Sequence, residues 1–215
     1  MTAKAFSKGE AIRFGWATMK AHLGFFLGLL LVALVICFIP GIPQELTEEN
    51  APVLSFLFGI VSSLFQMIVG MGLVTISLKF IDNAKPELGD LFSRFHLFFK
   101  YLGGNILYIL IILGGLILLI VPGIVWALKF QFFNYFIIDK ELGPIEALRR
   151  SAAITMGAKW DLFLFGLLVA GINLLGILAL LVGLFATYST SMVAIAFVYR
   201  KLLARTEAAQ APVVA

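Results

Sequence analysis

Four long uncharged stretches lie between the charged residues of this chain: Ala21–Gln44, Asn50–Leu78, Tyr101–Ile138 and Leu162–Tyr199, the third broken only by Lys129. A bilayer core about 30 Å thick is crossed by about 20 apolar helical residues. The last two stretches hold 38 residues each, and as unbroken helices each would measure roughly 57 Å. No tilt fits such a rod into a single crossing, so each must turn back once. Pro122 and Gly123 mark the turn in the third stretch, because proline stops the hydrogen-bond ladder and glycine permits a reversal. Gly176 and Gly183 are the candidates in the fourth.

The sequence therefore predicts an all-α polytopic bundle, a single membrane domain over residues 1–215. Its six transmembrane helices fall at about 23–40, 53–78, 102–121, 124–139, 161–182 and 184–202. The segment 124–139 is the shortest and most polar; it either spans or forms a re-entrant or interfacial helix. Composition agrees: 61% of the residues are hydrophobic and 13% charged, against roughly 45–50% and about 25% in soluble domains. That balance excludes disorder and a soluble nucleic-acid-binding domain. The single cysteine, Cys37, excludes an intrachain disulfide.

Charge placement fixes the expected orientation. Fifteen of the sixteen Lys and Arg residues fall on one side of the six-span arrangement, while the loop Pro40–Pro52 carries Glu45, Glu48 and Glu49 and no base. By the positive-inside rule both termini are expected in the cytoplasm. The basic start reads as the approach to a first span: no small-x-small cleavage site follows Ile39, and Val35-Ile36 before Cys37 does not suit lipoprotein processing. The basic isoelectric point, about 9.3, is then explained by lipid headgroups and needs no nucleic acid.

Three places in the chain look alike. Glu10-Ala11-Ile12-Arg13 matches Glu146-Ala147-Leu148-Arg149, and Ile39-Pro40-Gly41-Ile42 matches Val121-Pro122-Gly123-Ile124. Lys20 and Lys100 each stand four residues before a glycine, and Gly183 falls opposite Gly123 at a shift of 60, which favours Gly183 as the last turn. These matches predict a threefold internal repeat with units at about 5–80, 84–140 and 141–204, and a flexible cytoplasmic tail at 205–215. Each unit would comprise a cytoplasmic-side amphipathic helix, a span, an outer turn and a returning span, all in one orientation about an axis along the membrane normal.

The amphipathic helices carry the surface chemistry. Ile12, Trp16 and Met19 form the apolar stripe of the first; Leu88, Leu91, Phe92, Phe95 and Phe99 form that of the second; the third begins at Gly143-Pro144. Each pairs an acid with a base three or four residues later: Glu10 with Arg13, Asp90 with Arg94, and Glu146 with Arg150 beside Arg149. These pairs are either solvated surface bridges or the locks of a cytoplasmic collar.

No catalytic constellation is present in the sequence: neither a nucleophile elbow nor a phosphate-binding loop, and no metal-ligand spacing around His22 or His96. The reading is of a protein that is not an enzyme and takes no cofactor or metal. Lys129 is the one base inside a span, and such residues default to a functional hypothesis. It shares a face with Trp126, while Gln131 and Asn134 lie on the other side. With them it forms a candidate lipid or substrate site, unless the lysine snorkels or pairs within the bundle.

The stretch Val121-Pro-Gly-Ile-Val-Trp-Ala-Leu-Lys-Phe-Gln-Phe-Phe133, then Ile138-Asp139, Gly143-Pro-Ile-Glu-Ala-Leu-Arg-Arg-Ser151, Gly157 and Trp160 resembles a group of uncharacterised prokaryotic six-span integral membrane proteins. That group is related to the membrane domain attached to some glycerophosphodiester phosphodiesterases. The resemblance is strongest over 86–203. It implies a prokaryotic cytoplasmic membrane and carries over no catalytic residue, since no phosphodiesterase domain accompanies it. The expectation is a scaffold or lipid-binding module that meets anionic headgroups, with protein partners or a homo-oligomer as further contacts. A small transporter or channel for an anionic or amphiphilic substrate is the alternative.

Overall fold

The computed structural model describes residues 5–39, 41–47 and 50–210, and these are helical with no strand among them. The helices are α1 (Lys8–Ala21), α2 (Leu23–Phe38), α3 (Gly41–Thr47), α4 (Pro52–Ile81), α5 (Phe98–Leu118), α6 (Ile120–Phe130), α7 (Phe133–Lys140), α8 (Pro144–Ile154), α9 (Lys159–Leu178) and α10 (Leu180–Gln210). Two short 3-10 turns, Leu88–Leu91 and Phe95–Leu97, join α4 to α5. Among the described residues, five helical stretches are long and apolar enough to cross a membrane: Leu23–Glu45, Pro52–Ile81, Leu88–Leu118, Ile120–Lys140 and Lys159–Leu178. The fourth has the lowest mean hydropathy, 1.3, in line with its expected polarity.

The surface is apolar where a soluble protein would be wet. Phe56, Ile117, Leu118, Leu167 and Leu175 all point outward, with Ile117 85% exposed. Hydroxyls sit inside instead: Thr75, Ser77, Ser189, Thr190 and Ser191 are buried. Each donates to the carbonyl four residues back, at 2.6–3.0 Å, so no donor is stranded in a low-dielectric interior.

The turns differ from the sequence expectation by a few residues, for local reasons. The third stretch reverses at Leu119, whose backbone is extended, and not at Pro122-Gly123. Pro122 lies in the first turn of α6, where a helix makes no use of the missing N–H. Gly123 and Gly115 instead let α5 and α6 touch: a Cβ on Gly123 would lie 2.6 Å from Leu116, and one on Gly115 would lie 2.8 Å from Trp126. The last reversal is at Ala179, between the two expected glycines. Gly176 and Gly183 face each other across it, a Cβ on Gly183 lying 2.6 Å from the Gly176 carbonyl. The segment expected at 124–139 is two helices, broken at Gln131–Phe132. Residues 205–210, expected in a loose tail, continue α10; 211–215, like Pro40, Glu48 and Glu49 of the acidic loop, lie outside the described residues.

Two of the three surface elements also differ. The second is not a continuous amphipathic helix. Leu91 and Leu97 turn inward while Leu88, Phe92, Phe95 and Phe99 stay exposed. The Asp90 carboxylate accepts the Glu87 N–H at 2.7 Å, which winds the segment into a tight turn, and Gly72 leaves room for the Leu91 backbone to lie against α4. In α1 the inward stripe is Ala11, Gly15 and Met19, with Trp16 outside. Small residues win there because Gly15 sits against the Thr190 carbonyl of α10. The third element, α8, starts at Pro144 as expected and buries Ala147, Leu148, Ser151 and Ile154 on one face.

α4, α5 and α9 pack on α2, α6 and α10 respectively. α4 lies against both α7 and α10. Beneath this bundle, at its charged end, α1 packs on α10, the first 3-10 turn on α4, and α8 on α7. The largest buried cluster lies at this same end, around Phe132, Phe133, Ile137, Leu162, Tyr199 and Leu202.

Candidate functional site

Of the three expected short-range ion pairs, only Glu146–Arg150 forms, at 2.9 Å. The other acids and bases choose partners on different elements. Glu10 meets Lys201 at 3.3 Å, linking α1 to α10. Asp90 takes Lys79 of α4 at 2.6 Å. Arg94 takes Glu141, beyond α7, at 2.9 Å, and Lys100 donates to the Glu141 carbonyl at 2.7 Å. Lys8 meets Asp161 at 2.9 Å, tying α1 to the start of α9. Arg13 and Arg149 enter no ion pair among the described residues and face outward. The collar residues thus lie at one end of the bundle, and most of their bridges cross between elements.

The centre of this end holds a cluster that the sequence reading missed. The Arg200 guanidinium grips two carboxylates: Asp82 at 3.0 and 2.5 Å, and Asp139 at 2.7 and 2.8 Å. Tyr199 Oη donates to Asp139 at 3.0 Å. Asp139 is the most enclosed of the three charges, its side chain 12% exposed against 22% for Arg200. Asp82 caps the C-terminus of α4 and Asp139 lies in the last turn of α7. Negative charge at a helix C-terminus opposes the macrodipole, so each of these acids needs a nearby cation. That mismatch was the available sequence signal.

Lys129 and the three residues grouped with it make separate contacts. Its ammonium lies 5.0 Å from the Phe130 ring centroid, and Trp126 lines the α5–α6 contact. Gln131 Nε2 donates to the Leu128 carbonyl at 3.2 Å. The Asn134 side-chain oxygen is buried with no hydrogen-bond partner. The backbone of Lys129 is more engaged than its side chain. Its carbonyl, released by the break between α6 and α7, accepts Ser151 Oγ at 3.1 Å and Thr155 Oγ1 at 3.0 Å. Ser151 Oγ also accepts the Phe132 N–H at 3.1 Å, so α8 closes both sides of the gap. Among the other polar residues in the spans, Asn173 reaches across to Ser191 of α10 at 2.9 Å; Asn105 turns back to the Tyr101 carbonyl of its own helix.

Two clefts open on the side of the bundle between α2 and α10. One, of about 480 Å³, is lined by Trp16, Lys20, Leu23, Leu27, Leu31 and Phe185 among others. The second, of about 310 Å³, lies further along α2 at Leu30, Leu34, Phe38, Leu184 and Tyr188, and also touches Phe185. A third cavity, about 260 Å³, sits at the charged end between α7, α8 and α10, with Lys140, Arg150 and Glu207 on its walls. No cluster of three or more potential metal ligands occurs among the described residues. The chain matches no protein-family model, no curated protein and no solved structure.

Proposed function

We propose that this protein is a non-enzymatic module of a prokaryotic cytoplasmic membrane that binds anionic lipid and scaffolds its surroundings at the inner leaflet. The observation that carries this reading is the pairing of exposed aromatics with bases at three places at the charged end. Trp16 stands with Lys20 on α1, Phe95 and Phe99 with Arg94 and Lys100 around the 3-10 turns, and Trp160 with Lys159 at the start of α9. Tryptophan rings favour the headgroup level, phenylalanine rings enter the apolar side of that interface, and bases beside them are attracted to anionic lipid by about 1 kcal/mol each. The resemblance of 86–203 to prokaryotic six-span proteins points to the same membrane.

In this reading the chain crosses six times, with α10 as the sixth span and both termini in the cytoplasm. A threefold repeat finds support in the packing. Each surface element rests on the returning helix of the unit before it, and α1 on α10 closes the circle. The match of Glu10 with Glu146 puts Gly15 opposite Ser151. Gly15 lies against the Thr190 carbonyl and Ser151 bonds the Lys129 carbonyl, so matched residues meet backbone within one position of each other in the repeat. Asp82 and Asp139 then end two of the returning helices and meet Arg200, which lies within the third, in one cluster.

The test is lipid enrichment. Protein extracted gently from vesicles of mixed phosphatidylglycerol and phosphatidylcholine should retain phosphatidylglycerol in excess when weighed by native mass spectrometry. Equal retention of the two lipids would overturn the reading.

A further inference from the structure

We infer that the lateral cleft between α2 and α10 is a binding site for one anionic phospholipid, with its phosphate at Lys20 and one acyl chain lying along α2. The inference rests on the membrane orientation proposed above and names the place and chemistry of a discrete site. The two clefts share Phe185 and together follow α2 from Leu23 to Phe38. That run rises roughly 22 Å, enough to accept a chain from an inner leaflet whose hydrocarbon is about 15 Å deep, half of the core. The main chamber, about 480 Å³, falls within the usual range of small-ligand sites, roughly 300–1,000 Å³.

The lining says which kind of molecule fits. Leu23, Leu27, Leu31 and Phe26 form one wall and Phe185 and Ala186 the other. Ser189 is the one hydroxyl in the main chamber, and it donates to the Phe185 carbonyl at 2.8 Å. Among the described residues no acidic side chain lines either cleft. A polar solute would find little to replace its hydration there, whereas an alkyl chain loses nothing.

The charge lies at the mouth. Lys20 is exposed in the last turn of α1, its ammonium 5.7 Å from the Trp16 ring centroid, and it enters no ion pair among the described residues. Like Arg13 and Arg149 it holds no carboxylate, but Lys20 is the base that lines the main chamber, placed for an anion that sits where the apolar cleft reaches the headgroup level. Trp16 beside it supplies the amphipathic ring suited to that depth. Separation of one cation from a long apolar wall is the pattern of a phospholipid with a negative headgroup.

The experiment uses the full chain in vesicles of phosphatidylglycerol and phosphatidylcholine, read by native mass spectrometry and by melting in mild detergent. Wild type should retain one phosphatidylglycerol more firmly than the rest. Lys20→Gln should lower its retention about fivefold, the worth of one basic residue at an anionic surface, while Lys20→Arg should keep it. Leu27→Trp, which fills the chamber and leaves Lys20 in place, should displace the lipid without lowering the melting temperature. Unchanged retention in both Lys20→Gln and Leu27→Trp would overturn the site while leaving the general anionic preference standing. Loss of that preference in wild type would overturn the broader reading with it. A disulfide between two copies through Leu31→Cys, formed in the bilayer in a Cys37→Ser background, would assign the cleft to a second copy and overturn the lipid.

Discussion

At the scale of single residues, Arg200 does most to hold the charged end together. It satisfies two carboxylates that oppose the dipoles of the helices carrying them. Removing the guanidinium leaves Asp139 enclosed beside Tyr199 with Lys140 3.7 Å away as its remaining cation. A fully buried pair broken this way costs about 3–5 kcal/mol; with Arg200 and Asp82 partly solvated, we expect Arg200→Ala to cost about 2 kcal/mol. The measurement is the melting temperature in mild detergent. Arg200→Lys should recover little, because an ammonium cannot fork toward two carboxylates. The double change Arg200→Ala, Asp139→Asn should recover part of the loss. The local rule for acid–base pairs found Glu146–Arg150 from the sequence but could not find this cluster, whose partners lie 61 and 118 positions apart. Only the misfit of an acid at a helix C-terminus was legible, at Asp82 and Asp139.

At the scale of elements, the long apolar stretches were readable because length and bilayer thickness leave few alternatives. The exact breaks were not. Pro122 can sit in a first turn as easily as end a helix, and Gly176 and Gly183 serve close helix contact on either side of Ala179. The break at Gln131–Phe132 carries no proline or glycine at all and is held from outside by α8. Ser151→Ala should therefore act through that break. It strips the Phe132 N–H of its acceptor in a buried setting, while Thr155 still serves the Lys129 carbonyl. The expected loss is about 1–3 kcal/mol, seen as a lower melting temperature and as faster amide exchange near Phe132. Ser151→Thr, which keeps the hydroxyl, provides the contrast. Wild-type exchange in Ser151→Ala would show that the break does not depend on α8.

At the scale of the whole molecule, the proposed orientation rests on charge asymmetry, and the ion-pair collar joins elements at one end of the bundle. Glu45 lies at the end away from Arg200, and Glu87 in the loop after α4. In a Cys37→Ser background, Glu45→Cys should react with an impermeant maleimide on intact cells, and Glu87→Cys only after permeabilisation. The reverse pattern would invert the topology. The class of the fold was legible from composition and stretch length, since no soluble arrangement covers so much apolar surface. The clefts beside α2 were not, because they depend on how far two helices separated by most of the chain stand apart.

The seating of Gly15 on the Thr190 carbonyl has a consequence in time. At roughly 5–20 residues per second, the ribosome delivers the seat of α1 about 10–35 s after α1 itself. Through that interval the face of α1 that carries Ala11, Gly15 and Met19 is uncovered. The seat of α1 is thus made long after α1 itself, so closure of the bundle waits for α10.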